Sequence, residues 1–151
     1  MTDPGVRIPP PAVFILALGI SWLLQTFVPL PFLAHDTALW VGLALVAAGL
    51  VLALMSVATM IRGHGTVNTH APSDALVVTG VYRISRNPMY VSNALMYTGF
   101  AIAMGVPWGL ILLPFLLIFT QVVVIAREEK YLESAFGQQY TDYKTRVRRW
   151  L

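Results

Sequence analysis

The sequence predicts an all-α membrane protein with about four transmembrane helices, a cytoplasmic loop and a C-terminal interfacial helix. Three observations carry that expectation. Hydrophobic residues make up 57% of the 151-residue chain and charged residues only 11%, against roughly 45–50% and 25% in soluble domains. The mean hydropathy is +0.69, and a chain this short cannot hide so much apolar surface in its own interior. The apolar residues are also gathered into four segments, separated by Pro, Gly and polar stretches. Cysteine is absent, which excludes disulfides and thiolate metal sites.

The first segment covers about 12–28 and ends where Pro29 and Pro31 stop it. The second, 38–61, has no charge in 24 residues. A hydrocarbon core of about 30 Å needs about 20 helical residues at about 1.5 Å each, so this one spans easily. Gly42, Gly49, Ala53 and Ser56 fall on one face of it, and small residues let membrane helices approach closely. The third segment, 89–106, is short and relies on its flanks. Gly105-Val106-Pro107 breaks it from the fourth, 108–126, making a tight helical hairpin.

Two polar pieces complete the chain. The loop between the second and third spans carries too many Gly and Pro for one continuous helix. In the tail, the fourth span continues to Phe136 and Gly137 stops or bends it. Tyr140, Tyr143, Val147 and Trp150 then recur at helical spacing beside Arg146, Arg148 and Arg149. That pattern predicts a helix in the membrane interface or a plain juxtamembrane anchor.

Charge sets the orientation. Pro29–Thr37 and Gly105–Pro107 contain no Lys or Arg. All ten lie at the N-terminus (Arg7), in the loop (Arg62, Arg83, Arg86) and in the tail (Arg127, Lys130, Lys144, Arg146, Arg148, Arg149). An even number of spans puts these on one face, which the positive-inside rule makes cytoplasmic, with both termini there. The net charge of +3 then reflects topology and lipid headgroups rather than nucleic acid.

Polar groups within spans are the candidate site. Tyr90, Asn93 and Tyr97 share one stripe of the third span, and Gln121 and Glu128 one face of the fourth. These stripes predict a polar pocket between the two helices, open to the cytoplasm; interhelical hydrogen bonding is the plainer alternative for Asn93, Tyr97 and Gln121. Ser21 and Gln25 are expected to serve packing. The adjacent acids Glu128 and Glu129 point about 100° apart on a helix, so only one can enter such a pocket, with the other outward in solvent. The set offers a carboxylate for a cation, Arg and Asn donors for an anion, and tyrosines for stacking. An amino-acid zwitterion joined to an aromatic base suits it.

The residues also carry a resemblance. "LVVTGVYRISRNPMYVSN" followed about 35 residues later by "REEKYLESAFGQQYTDYKTRVRRW" resembles the integral-membrane methyltransferases, which include the isoprenylcysteine carboxyl methyltransferases and the related phospholipid methyltransferases. The matching positions are Leu76, Val77, Gly80, Tyr82, Arg86, Asn87, Pro88 and Tyr90, then Glu128, Glu129, Leu132, Phe136, Gly137, Tyr140 and Tyr143. The resemblance implies S-adenosyl-L-methionine bound at the cytoplasmic face by the half of the chain from about 66 to 151, and a lipid-like acceptor, carboxylate or amine, reached from the bilayer. Under it, Leu76 and Val77 approach the cofactor through their backbone. Tyr82 and the Asn87-Pro88-Met89-Tyr90 turn form its wall. Glu128 takes its amino end with Glu129 adjacent, and Arg86 brings positive charge to its carboxylate or to the acceptor. Arg86 and Glu128 are thereby the candidate catalytic residues.

Two departures matter. The family commonly has His at the position of Asn87, and Asn is no base at neutral pH. The prenylcysteine enzymes carry an Arg about one turn before the acid pair, where this chain has Val124, which disfavours a prenylcysteine carboxylate as acceptor. An amine acceptor must lose a proton, and His64 and His70 are the loop histidines that could assist; both read more simply as loop hydrogen-bonding residues. His35 lies at the opposite face. The alternatives are an NADPH-dependent reductase of the sterol or steroid type, whose C-termini carry similar Arg-x-Pro-x-Tyr stretches, and a non-catalytic membrane subunit.

Overall fold

A computed structural model describes residues 9–65 and 75–151, and within them the chain is helical with no strand. Helix α1, Pro10–Phe27, starts with proline at its first positions, where no N–H is needed. Helix α2, His35–Arg62, has 28 residues, about 42 Å of helix. A 3₁₀ turn, Gly80–Arg83, precedes α3, Pro88–Ala103. Helix α4, Pro107–Phe119, passes through a π-helical segment, Thr120–Ile125, into α5, Ala126–Phe136. Helix α6, Gln138–Arg146, closes the order.

Among the described residues three helices are long and apolar enough to cross a membrane: Pro10–Phe27, His35–Arg62 and the continuous Pro107–Phe136. The third segment forms the 16-residue α3, about 24 Å long and shorter than a hydrocarbon core of about 30 Å. It ends at Ala103 rather than 106, where Val106 N–H returns to the carbonyl of Ala101 at 2.8 Å and Gly105 takes φ +65°. Outward residues such as Ile15, Trp40 and Phe115 are 72%, 71% and 68% exposed, as expected of an integral membrane protein whose solvent is lipid.

Helix α3 lies along α2 and also meets α1 and α4. Its seam with α2 is the small-residue stripe. A Cβ on Gly99 would sit 2.7 Å from the carbonyl oxygen of Gly42, and one on Gly49 would sit 2.7 Å from Met96 Cγ. On the other side Phe14 and Tyr97 meet edge to face at 5.9 Å, with Leu116 in the same cluster. Tyr97 Oη lies 3.3 Å from Ser21 Oγ, and Gln25 bonds both backbone groups of Leu30. Tyr97, Ser21 and Gln25 therefore serve packing and local bonding.

The tail differs from its expected form. Gly137, with φ +51°, turns the chain as read from the sequence, but α6 stops at Arg146 and its tyrosine stripe meets protein instead of lipid. Tyr140 and Tyr143 are 2% and 4% exposed, and Tyr143 Oη donates to the carbonyl of Tyr82 at 2.6 Å. The periodicity marks a buried face, and the nearby loop buries it.

Candidate functional site

The loop 75–87 is seated on the end of α2. Val77, Val81 and Tyr82 form a cluster against Leu52 and Met60. Gly63 permits the approach, since a Cβ there would lie 2.8 Å from Val77 Cγ2. Gly80, at φ +56°, opens the 3₁₀ turn beside Thr59. Leu76 is partly exposed at the surface of this loop and Val77 is buried under it.

Asn87 then turns the chain into α3, with Pro88 at the first helical positions. The carbonyl of Asn87 accepts from the N–H groups of Tyr90 and Val91 at 3.0 and 3.1 Å. Its side chain does not cap the helix; Asn87 Nδ2 donates to the carbonyl of Arg149 at 2.9 Å. Asn87 thus binds a distant strand of backbone, as a hydrogen-bonding residue rather than a base. Met89 is partly exposed and Pro88 buried.

The acid pair divides as helical geometry requires, but not into one inner and one solvated residue. Glu128 Oε1 accepts from Tyr90 Oη at 2.7 Å and is half-buried without an ion pair among the described residues. Glu129 is buried and held by two cations. Arg149 Nε and Nη2 donate to its two oxygens at 2.9 and 2.6 Å, and Arg86 Nη1 lies 3.1 Å from Oε1. The expectation of a solvated second acid is corrected: two arginines brought in from loop and tail repay its desolvation.

Two buried polar atoms lack a partner among the described residues, Tyr82 Oη and Arg86 Nε. Tyr82 is 6% exposed; burial, and then the Glu128 carboxylate, raise its pKa. An orphaned buried hydroxyl within the field of an unpaired carboxylate costs free energy unless a ligand satisfies it. Burial and the Glu129 carboxylate also push Tyr140 up to about 12, against the influence of Arg86, whose Nη1 lies 3.5 Å from the Tyr140 hydroxyl. The tyrosines outside the spans are therefore neutral donors.

The structure brings together Tyr82, Arg86, Asn87, Tyr90, Glu128 and Glu129 at one end of the bundle. His64 is exposed at the end of α2, His35 begins the far end of that helix, and His70 lies outside the described residues. Gln121 accepts from Trp150 Nε1 at 2.9 Å, a bond to the chain beyond α6 rather than one between helices. In the sequence Ser85 carries no site signal, and Arg149 and Trp150 read only as parts of an interfacial helix or anchor. Arg149 lay within a basic run read as headgroup attraction, and nothing local distinguishes it from its exposed neighbour Arg148.

An apolar cleft of about 350 Å³ lies between α3 and α4, lined by Ala94, Leu95, Leu117 and Ile118 and reaching Gln121 and Trp150. Trp150 also packs on the cluster of Tyr90, Val124 and Ile125, so the same indole lines the cleft and borders that cluster.

A family model described as phospholipid methyltransferase matches residues 37–139, about two thirds of the chain. An uncharacterized protein of Haemophilus influenzae is 46% identical over 66 residues, its whole length and 42% of this chain. No solved structure matches.

Proposed function

Because the chain belongs to the phospholipid methyltransferase family, we propose that it transfers a methyl group from S-adenosyl-L-methionine to a lipid-like acceptor held in the membrane. The observation that carries this reading is Glu128: a half-buried carboxylate with a neutral hydroxyl donor, no ion pair among the described residues, and an orphaned tyrosine hydroxyl in its field. Such a group calls for a cation with N–H donors, and the ammonium of an amino acid is one.

The residues present fit the methyl donor. Glu128 holds the ammonium, and Tyr82 Oη gains the partner it lacks. Loop backbone at Leu76 and Val77 and the turn Asn87-Pro88-Met89-Tyr90 wall the rest. Arg86, with one unpartnered N–H, faces the donor's carboxylate or an anionic group of the acceptor. When bound, the sulfonium supplies an electrophilic methyl group whose transfer leaves a neutral thioether. The protein therefore has no new negative charge to stabilise at the leaving group, and its contribution is alignment of the reactants and exclusion of water.

A lipid-borne acceptor is supported by the apolar cleft, because it runs along the spanning part of Pro107–Phe136 and reaches the indole that packs on the cluster of Tyr90, Val124 and Ile125. The distribution of Lys and Arg supports a site at the cytoplasmic face. The reductase alternative asks for a pocket that takes a 2′-phosphate, and an unpaired carboxylate at the centre repels such an anion. The test is binding of S-adenosylmethionine to the detergent-purified protein, with Glu128→Gln as the control. Loss of affinity in the variant supports the reading, and a wild type without affinity contradicts it.

A further inference from the structure

The family match ends at residue 139, yet the site is closed by residues beyond it. After α6 the chain becomes extended at Val147 (φ −125°, ψ 132°) and runs back across the loop. The carbonyl of Arg148 accepts from the N–H of Arg86 at 2.9 Å. That of Arg149 accepts from Asn87 Nδ2 at 2.9 Å and Ser85 Oγ at 3.3 Å. Trp150 ties the strap to Gln121. Of the two neighbouring arginines, Arg148 is exposed while Arg149 turns inward and grips both oxygens of Glu129.

We infer that Arg149 is a positioning residue of the methyl-donor site, acting through Glu129. Glu128 and Glu129 are consecutive on one helical turn, so fixing the rotation of one fixes the direction of the other. The two-point grip of a planar guanidinium on a carboxylate sets orientation as well as charge. With Arg86 on the same carboxylate, Glu129 is neutralised and immobile. Glu128 is left as the acid that faces Tyr90 and Tyr82 and can take an external cation. Arg149 also anchors the Asn87 turn through its backbone carbonyl, so the two halves of the site share one clamp. Lysine at this position keeps the charge but not the fork, and it separates positioning from charge balance.

This inference rests on the proposed function, and its test keeps the two apart. The full chain is purified in detergent with Trp22→Phe, Trp40→Phe and Trp108→Phe, which leaves Trp150 as the only tryptophan, a reporter beside Tyr90. Affinity for S-adenosylmethionine, Trp150 emission and melting temperature are measured for this protein and with Arg149→Lys and Arg149→Ala added. The expected result is that Arg149→Lys melts with the parent and keeps its Trp150 emission, yet binds about tenfold more weakly, the equivalent of one charge-assisted hydrogen bond. Arg149→Ala binds more weakly still. Affinity within about twofold of the parent in Arg149→Lys overturns the inference and leaves the functional reading standing. A merely structural role, in which melting temperature and affinity fall together in Arg149→Lys, overturns it as well. A parent protein that binds no S-adenosylmethionine removes the functional reading and this inference together.

Discussion

Tyr90 Oη donates to Glu128 Oε1 at 2.7 Å, joining the first turn of α3 to the first turn of α5 across 38 residues of sequence. The bond sets a carboxylate at the mouth of the helical hairpin and leaves it without a positive partner among the described residues. Its neighbour Glu129, one residue on, has two. That asymmetry makes one acid a candidate ligand-binding group and the other part of the framework.

Replacing Glu128 by glutamine keeps the size of the side chain and removes its charge. The loss of a charge-assisted contact is worth about 1.5–3 kcal/mol, so affinity for S-adenosylmethionine is expected to fall about ten- to hundredfold. Isothermal titration of the purified protein reads this directly, and unchanged affinity would contradict the assignment of Glu128.

Tyr82→Phe tests the orphaned hydroxyl. That oxygen is buried and unpartnered, so its removal is expected to leave stability unchanged or raise it by up to about 1 kcal/mol. Affinity for the methyl donor should fall in the same variant. A thermal melt and a titration on one sample check the opposite signs; a variant that loses stability while keeping affinity refutes the role given to this group.

The seam between α2 and α3 predicts a different outcome. Gly99→Val places a Cβ 2.7 Å from the carbonyl oxygen of Gly42, a contact with backbone that cannot move aside cheaply. The expected destabilisation is about 1–3 kcal/mol, seen as a lower midpoint of unfolding in detergent. By contrast Gly19→Val on α1, where a Cβ meets nothing within 4 Å, should cost far less.

Alkaline pH should loosen the tail. Tyr140 is shifted from 10.0 to about 12 in the folded chain. A raised value means that the folded state holds its proton where the unfolded state releases it. The stability so conferred is complete below pH 10 and is lost as pH rises through 12. Melting temperature followed against pH, with tyrosinate absorbance as the second readout, should show this decline, and Tyr140→Phe should reduce it.

What could be read from the chain follows from how local each signal is. A run of apolar residues long enough to cross a bilayer is a local property, so α1, α2 and the Pro107–Phe136 helix were legible, as were the Gly137 turn and the small-residue stripe of α2. The short α3 was foreshadowed by its length. The burial of Tyr140 and Tyr143 was half legible: their spacing announces a face, but not whether lipid or protein covers it. The partners of Glu129 were not legible, because Arg86 and Arg149 reach it from positions 43 and 20 residues away. The seven-residue spacing of Gln121 and Glu128 also ignored the π-helical segment Thr120–Ile125 between them, which resets the register of the helix; Gln121 meets Trp150 while Glu128 meets Tyr90.

The central claim is that a lone acid at the hairpin mouth recognises the ammonium of a sulfonium-bearing amino acid. Its most direct measurement is the affinity of the purified wild-type chain for S-adenosylmethionine set against the same molecule lacking its α-amino group. The account predicts saturable binding of the former and a loss of about tenfold or more for the latter, with Glu128→Gln no longer distinguishing the two. Equal affinity of wild type for both molecules, or none for either, would contradict it.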